Sequence, residues 1–224
     1  PALGLVVSGG HTTLYRVDAP ASLQPIGRTI DDAVGEAYDK VAVLLGLPYP
    51  GGPGIDRLAK QGDPSKHHMP RSMLGGESLD FSFSGLKTAM LYAVRGRPQG
   101  RGPNATFERD IADLDDAARA NLAAAFQDAA VGVLITKLKR AAKQLRRDGV
   151  TLQSLLIGGG VCANSLLRER SQKLADDLGL ALHLSALPYC LDNGAMIAGL
   201  GEHLLAANQT SDLNLEAVAT TTLA

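Results

Sequence analysis

The spacing of apolar residues along the chain alternates between the period of a β-strand and that of an α-helix. Two apolar stretches, Leu3–Val7 and Thr12–Val17, flank a Ser-Gly-Gly turn and predict an antiparallel hairpin. A third short strand is predicted at Leu79–Phe83. Apolar positions at helical spacing predict six helices, which cover approximately residues 33–44, 53–60, 85–94, 115–147, 164–178 and 193–206.

Several residues mark where these helices begin and end. Asp31 or Asp32 is predicted to cap the first helix, and Gly46 to end it. Ser84 is the predicted cap of the third helix. Residues 95–114 contain several Gly and Pro residues and are predicted to form a surface loop.

The order of elements between residues 152 and 185 predicts an α/β fold. Leu152–Ile157 and Leu182–Ser185 have the composition of buried strands, and a glycine turn and a helix lie between them. Such a unit pairs two parallel strands and places ligands at their carboxyl ends.

The composition narrows the possible functions without choosing one. Hydrophobic residues make up 45% of the 224, but aromatic residues only 4%, so the core must be largely aliphatic. The net charge of −1 gives no overall attraction to nucleic acid or membranes, so any RNA contact must come from a local patch. The two cysteines form no metal-type pair, and no apolar run is long enough to span a membrane, so we expect a cytoplasmic protein.

Glycine turns occur at three predicted boundaries between elements, around Gly9, Gly52 and Gly159. Glycine allows backbone N–H groups to approach a ligand closely, and a helix that follows favours phosphate. Three such turns predict a nucleotide held between loops, although Gly-Gly also suits an ordinary tight hairpin.

The first predicted helix carries Asp32, Glu36, Asp39 and Lys40 along one face. Carboxylates of this kind bind ribose hydroxyls in dinucleotide sites, but an isolated acidic face is more often simply solvated. The proximity of this face to the turn at Gly52 favours the functional interpretation.

Three other features each have two interpretations. Asn164 either caps a helix or bonds a ligand, and Asp192 is either a helix cap or a single metal ligand. The basic residues from Lys137 to Arg147 could meet RNA, but we favour a structural role at the end of a long helix. Spacing alone supports no nucleophilic triad.

Taken in order, six segments resemble the bacterial tRNA N6-adenosine threonylcarbamoyltransferase family, once described as O-sialoglycoprotein endopeptidases. The resemblance covers almost the whole chain. The segments are Val6–Thr12, Ile30–Lys40, Leu47–Pro53, Asp80–Thr88, Gly159–Asn164 and Asp192–Met196.

The resemblance implies an actin-like ATPase (ASKHA) fold, with residues 1–192 as a nucleotide-binding C-terminal lobe and 193–224 as a helix and tail that cross back. It implies an acyltransferase that moves threonylcarbamoyl from threonylcarbamoyl-AMP to N6 of the adenosine beside the anticodon, in tRNAs reading ANN codons. It also implies a shorter paralogue and a P-loop ATPase as partners.

The resemblance also implies roles for individual residues. The donor's phosphate or acyl end would meet Val6, Val7, Ser8, Gly9 and Gly10. Its adenosine part would meet Asp39, Gly52 and Asn164, with Asp56 as an addition. Asp192 would be one ligand of iron or another divalent metal.

Two departures from the family pattern carry expectations of their own. The family's other metal ligands, a His-x-x-x-His pair, and most of the N-terminal lobe would lie upstream of Pro1, so this chain alone is expected to be inactive. Cys162 stands where the family commonly has Ser. The alternatives are a non-catalytic paralogue that binds a nucleotide or a partner, and a metalloprotease.

Overall fold

A computed structural model describes residues 1–72, 75–100 and 106–216. Within these ranges the chain is an α/β protein, which confirms the predicted class. Its strands are β1 (Ala2–Val7), β2 (Thr12–Ala19), β3 (Ser22–Arg28), β4 (Ser154–Gly158) and β5 (Ala181–Leu184). Its α-helices are α1 (Val34–Leu44), α2 (Gly51–Ala59), α3 (Ser84–Arg95), α4 (Asp116–Arg147), α5 (Ser165–Leu178) and α6 (Gly194–Ala206).

The strands form one mixed sheet in the order β3-β2-β1-β4-β5. The pairs β1–β2 and β2–β3 are antiparallel, whereas β1–β4 and β4–β5 are parallel. The predicted hairpin and the predicted parallel unit of β4, α5 and β5 are therefore both confirmed. Because β1 and β4 are parallel neighbours, the turns that follow them meet at one edge of the sheet.

Strand β3 was not predicted, because its residues Ser22–Arg28 are mostly exposed, show no clear alternation and include Pro25. These are properties of an edge strand. The predicted strand at Leu79–Phe83 is wrong, since Phe81 contributes only an isolated bridge to Thr29. The chain leaves strand geometry there because the next backbone N–H groups bond to the Asp31 carboxylate.

Asp31 is also not the cap that the sequence predicts. The N-cap of α1 is Ala33, and the first N–H groups of α1 bond elsewhere, as described below. Asp31 instead accepts hydrogen bonds at the start of α3, from the backbone N–H of Phe83 (2.9 Å) and the hydroxyls of Ser82 and Ser84. Ser84 is therefore the first residue of α3 rather than its cap.

Two further boundaries differ from the prediction or refine it. Helix α2 begins at Gly51, two residues before Pro53. The predicted loop 95–114 holds a 3₁₀ turn at Ile111–Asp113 and a bridge between Gln99 and Thr106, while residues 101–105 lie outside the described ranges.

The long helix α4 is the centre of the packing. It contacts α2, α3, α5 and strand β1, and its buried side chains are mainly Ala, Leu and Val. This arrangement confirms the predicted aliphatic core. Helix α6 differs, because none of its residues is buried. Within the described residues, no helix combines the length and hydropathy needed to cross a bilayer.

Candidate functional site

Two of the three glycine turns lie side by side at the carboxyl ends of β1 and β4. Gly159 has φ +96° and ψ 167°, a conformation open essentially to glycine alone. A Cβ atom placed on Gly159 would lie 2.3 Å from the carbonyl oxygen of Val7. The close approach of these two turns therefore requires glycine at this position.

The first turn also supports the start of α1. The backbone N–H of Gly35 donates to the Ser8 carbonyl (3.2 Å), and that of Val34 donates to Thr12 Oγ1 (2.9 Å). The hydroxyl of Ser8 accepts from the backbone N–H groups of Gly10 (3.3 Å) and His11 (3.0 Å). The Ser8 side chain thus holds the turn together.

A cavity of about 490 Å³ opens between these turns, helices α1 and α2, and the segment 187–191. Five predicted site residues line it, and the remaining five do not. The lining residues are Gly9, Gly35, Tyr38, Asp39, Tyr49, Pro50, Gly52, Pro53, Asp56, Arg57, Gly160, Val161, Ala163, Asn164, Leu187, Cys190 and Leu191.

The structure therefore brings Gly9, Asp39, Gly52, Asp56 and Asn164 together around one cavity. Val6, Val7, Ser8, Gly10 and Asp192 lie outside its wall. Val7 is fully buried within β1. Whether any of these ten residues contacts a ligand stays a prediction.

Two carboxylates at the cavity bind the ends of neighbouring helices. Asp39 Oδ1 accepts the backbone N–H of Gly51 (2.8 Å) at the start of α2. Asp56 Oδ1 accepts from both the backbone N–H (3.2 Å) and the hydroxyl (2.8 Å) of Ser165 at the start of α5. Lys60 Nζ lies 3.5 Å from Asp56 Oδ2.

Asn164 is a helix cap, as one of its two interpretations predicted. Its Oδ1 accepts the backbone N–H of Leu167 (3.0 Å), and its Nδ2 donates to Gln127 Oε1 (2.8 Å) and to the Tyr38 hydroxyl (3.4 Å). Burial raises the pKa of Tyr38 well above its ordinary value, and the nearby Asp56 charge raises it further. Tyr38 is therefore a neutral donor and acceptor at physiological pH.

The hydrogen bonds at the starts of α1, α2 and α5 reduce the ability of these helix ends to bind an anion. The starts of α1, α2 and α5 already donate N–H groups to Ser8, Asp39, Asp56 and Asn164, so their positive ends are partly neutralised. A Cβ atom on Gly9 or on Gly52 would meet nothing within 4 Å. The cavity thus offers a ligand open glycine backbone and carboxylates rather than bare helix ends.

The rest of the acidic face of α1 is an ion-pair cluster outside the cavity wall. Lys40 Nζ lies 2.8 Å from Asp32 Oδ1 and 2.8 Å from Glu36 Oε1, and Lys87 Nζ lies 3.1 Å from Asp32 Oδ2. Partial burial would raise the pKa of Asp32, but Lys40 and Lys87 lower it below its ordinary value. Asp39 alone of this face lines the cavity.

Three of the basic residues of α4, Lys137, Arg140 and Arg147, make structural contacts of the kind that the sequence favours. Lys137 is fully buried and donates to the carbonyl of Ser78 (2.7 Å), which also accepts from Arg140 (2.8 Å). Arg147 pairs with Glu77 (2.8 Å). These contacts fasten the segment before α3 to the central helix.

Cys162 lies in the short 3₁₀ turn Gly160–Ala163 that follows Gly159. It is fully buried, and its thiol donates to the Ile157 carbonyl (3.3 Å). Burial raises the pKa of this thiol, which keeps it protonated. Cys162 is therefore a buried, protonated thiol that hydrogen-bonds to β4.

The predicted metal ligand Asp192 is exposed and lies between Leu191 in the cavity wall and Asn193. The cap of α6 is Asn193, whose Oδ1 accepts the backbone N–H of Met196 (3.1 Å), so the alternative of Asp192 as a cap is wrong. Among the described residues, no group of three or more His, Cys, Asp or Glu side chains could hold a metal ion. These residues by themselves do not form a metal site.

Sequence reasoning missed part of the cavity wall. Tyr49 and Pro50, just before α2, and Arg57 within α2 line the cavity, and so do Leu187 and Leu191. The available signal was the pattern of an aromatic residue between two prolines directly before a glycine turn.

Comparison with known proteins gives one consistent family. A sequence model of tRNA N6-adenosine threonylcarbamoyltransferase matches residues 1–199. A protein of that name from Trichlorobacter lovleyi is 49% identical over 98% of this chain. Another, from Bordetella petrii, is 50% identical over 88% of it. One from Thermosipho africanus is 43% identical over 97% of it. The chain spans only 52–60% of the length of these relatives.

Proposed function

This chain belongs to the tRNA N6-adenosine threonylcarbamoyltransferase family, and we propose that it supplies the donor-binding part of such an enzyme. The complete reaction would transfer threonylcarbamoyl from threonylcarbamoyl-AMP to N6 of the adenosine beside the anticodon, in tRNAs that read ANN codons. The protein would thus be an acyltransferase of tRNA modification.

One observation carries this proposal. Five residues from four separate segments, expected to bind the donor, border a single cavity at the carboxyl ends of two parallel strands. That edge of a parallel sheet is where α/β proteins bind nucleotides. The cavity volume of about 490 Å³ is within the range of small-molecule sites.

Within the cavity we assign the adenosine of the donor to the wall formed by Asp39, Gly52 and Asn164, with Asp56 beside them. Asp39 and Asp56 present carboxylates that can accept ribose hydroxyls. The phosphate and acyl end would lie toward the turn Val6–Gly10, where the backbone at Gly9 is open to the cavity.

The chemistry itself is an acyl transfer. The lone pair of the adenosine N6 attacks the carbamoyl carbon of the donor, and the bond from that carbon to the phosphate oxygen breaks. AMP leaves with the electron pair, and the amine releases one proton. The chain's own contribution would be to hold AMP's adenosine and to align the carbamoyl carbon with the incoming amine.

The finer architecture is part of the same proposal. Residues 1–192 would form the C-terminal lobe of an actin-like ATPase fold, and 193–224 would cross back to the other lobe. Helix α6 supports this division, because it carries exposed apolar side chains and has no buried residue. Such a helix gains stability only when another surface covers it.

Iron or another divalent metal also belongs to the proposal, with Asp192 as one ligand. The described residues alone do not complete its site, so we derive no step through it. The proposed partners are tRNA, a shorter paralogue and a P-loop ATPase. The cytoplasm is the proposed compartment, because Cys162 and Cys190 are free thiols.

The function is tested by nucleoside mass spectrometry of tRNA after the gene product is depleted. Threonylcarbamoyladenosine should fall while other modified adenosines stay constant, and re-expression of the wild-type gene should restore it. An unchanged level would contradict the proposed function and would favour a non-catalytic paralogue.

A further inference from the structure

The rim of the cavity carries an unusual concentration of exposed apolar side chains. Tyr49 is 82% exposed, Leu187 61% and Leu191 73%, and all three border the same opening. Single exposed apolar residues are common on any protein. Three around one opening indicate a surface that binds a ligand.

Tyr49 is held in place by its neighbours. Pro48 and Pro50 flank it and restrict the backbone on both sides. The next backbone N–H, that of Gly51, is bonded to Asp39 at 2.8 Å. The ring is therefore presented on a fixed backbone, so a partner that stacks on it has little chain entropy to remove.

The exposed lining residues differ chemically from the buried ones. Asn164 is only 7% exposed and is bonded within the protein, whereas Tyr49 and Arg57, which line the same cavity, are exposed. Aromatic rings together with cations are what proteins use to bind single-stranded nucleic acid. A base turned out of its stack is held between aromatic and apolar side chains.

We propose that Tyr49 stacks on the base of the acceptor adenosine of RNA, with Leu187 and Leu191 on the other side of the opening. Arg57 would meet the RNA phosphates beside it. This placement brings the exocyclic amine to the mouth of the cavity in which the donor lies. The inference rests on the proposed function, because it assigns the second substrate of the same site.

The test measures, by fluorescence anisotropy, how tightly the 224-residue chain binds an RNA hairpin that carries an adenosine beside its anticodon. Tyr49→Ala should weaken binding about tenfold, as expected for the loss of one stacked base. Tyr49→Phe should bind like the wild type. Tyr92→Ala is the matched control, because Tyr92 is a partly exposed tyrosine on α3 outside the cavity wall.

A second RNA gives a readout that a merely structural role would not change. When the hairpin has an abasic site at the acceptor position, Tyr49→Ala should cause no further loss of RNA affinity, because the base that would stack on Tyr49 is already absent. An equal loss with both RNAs would overturn the proposal. So would wild-type chain that fails to bind the hairpin.

Binding of AMP separates this inference from the proposed function. AMP should bind the wild type and Tyr49→Ala equally, since its base is assigned to the wall formed by Asp39, Gly52 and Asn164. If Tyr49→Ala weakens the binding of AMP and not the binding of RNA, the base that stacks on Tyr49 is that of the donor and the inference is wrong. If the wild type binds RNA but not AMP, the proposed donor site fails while the rim assignment survives.

Discussion

Two pairs of glycines near the cavity serve opposite purposes. Gly51 and Gly159 lie outside the cavity wall and leave no room for a side chain, because protein atoms occupy the position of a Cβ. Gly9 and Gly52 line the cavity and face open space. Glycine in the first pair thus serves packing, whereas glycine in the second pair is available to a ligand.

Gly159→Ala should have the largest effect on stability. The new Cβ would lie 2.3 Å from the Val7 carbonyl oxygen in a backbone conformation that only glycine adopts easily. We expect a loss of at least about 3 kcal/mol in the free energy of unfolding, measured by urea denaturation. Gly160→Ala is the control, since its nearest contact is the flexible Leu191 side chain at 3.4 Å. Similar losses of unfolding free energy in both variants would contradict a special requirement for glycine at position 159.

Gly51→Ala and Gly52→Ala compare adjacent residues of α2. A Cβ on Gly51 would lie 2.4 Å from Ala42 Cβ, so overpacking should cost about 2 kcal/mol in thermal or urea denaturation. Gly52→Ala should leave stability unchanged or slightly raised, because alanine favours a helix. Equal destabilisation of both variants would show that Gly52, like Gly51, serves packing.

Asp31→Asn tests a carboxylate that lies outside the cavity wall and hydrogen-bonds to the start of α3. Burial raises the pKa of Asp31, but hydrogen bonds from Ser82, Phe83 and Ser84 lower it below its ordinary value. Its stabilisation is therefore present above the unfolded pKa of about 3.9 and is lost as the pH falls through the lower folded pKa.

At pH 7 we expect Asp31→Asn to lower the free energy of unfolding by about 1 kcal/mol, because α3 loses part of its cap. Between pH 5 and pH 2, stability should fall less steeply for this variant than for the wild type. Parallel pH profiles from urea denaturation would show that Asp31 does not titrate with folding.

Removal of residues 193–224 should have the smallest effect. Helix α6 has no buried residue, so its loss should leave the melting temperature of the chain unchanged and should improve solubility. A clear drop in melting temperature would show that α6 packs on the body of this chain.

The sequence predicted the regular elements better than the contacts between them. Among the described residues, apolar spacing located each α-helix and the strands β1, β2, β4 and β5, since their apolar positions recur at helical or strand spacing. It missed β3, which is an exposed edge strand. It also assigned Asp31 to the nearest helix, because spacing along the chain cannot show that α3, 52 residues away, supplies the partners.

The candidate site shows the same limit. The glycine turns and Asp39 were recognisable as motifs, but nothing local indicates that a Cβ on Gly51 would clash while one on Gly52 would not. The difference comes from Ala42 on α1, across the packed interface. Tyr49 was assigned no role of its own, although its place between two prolines before a glycine turn is visible in the sequence.

The central claim is that AMP binds in this cavity against the open glycines. Titration calorimetry of AMP into the wild-type chain and Gly52→Ala tests it most directly, with melting temperatures measured on the same samples. We predict binding by the wild type, and at least tenfold weaker binding by Gly52→Ala at an unchanged melting temperature, because the new methyl group fills space that AMP needs. Equal affinity of the two proteins, or no binding by the wild type, would contradict the account.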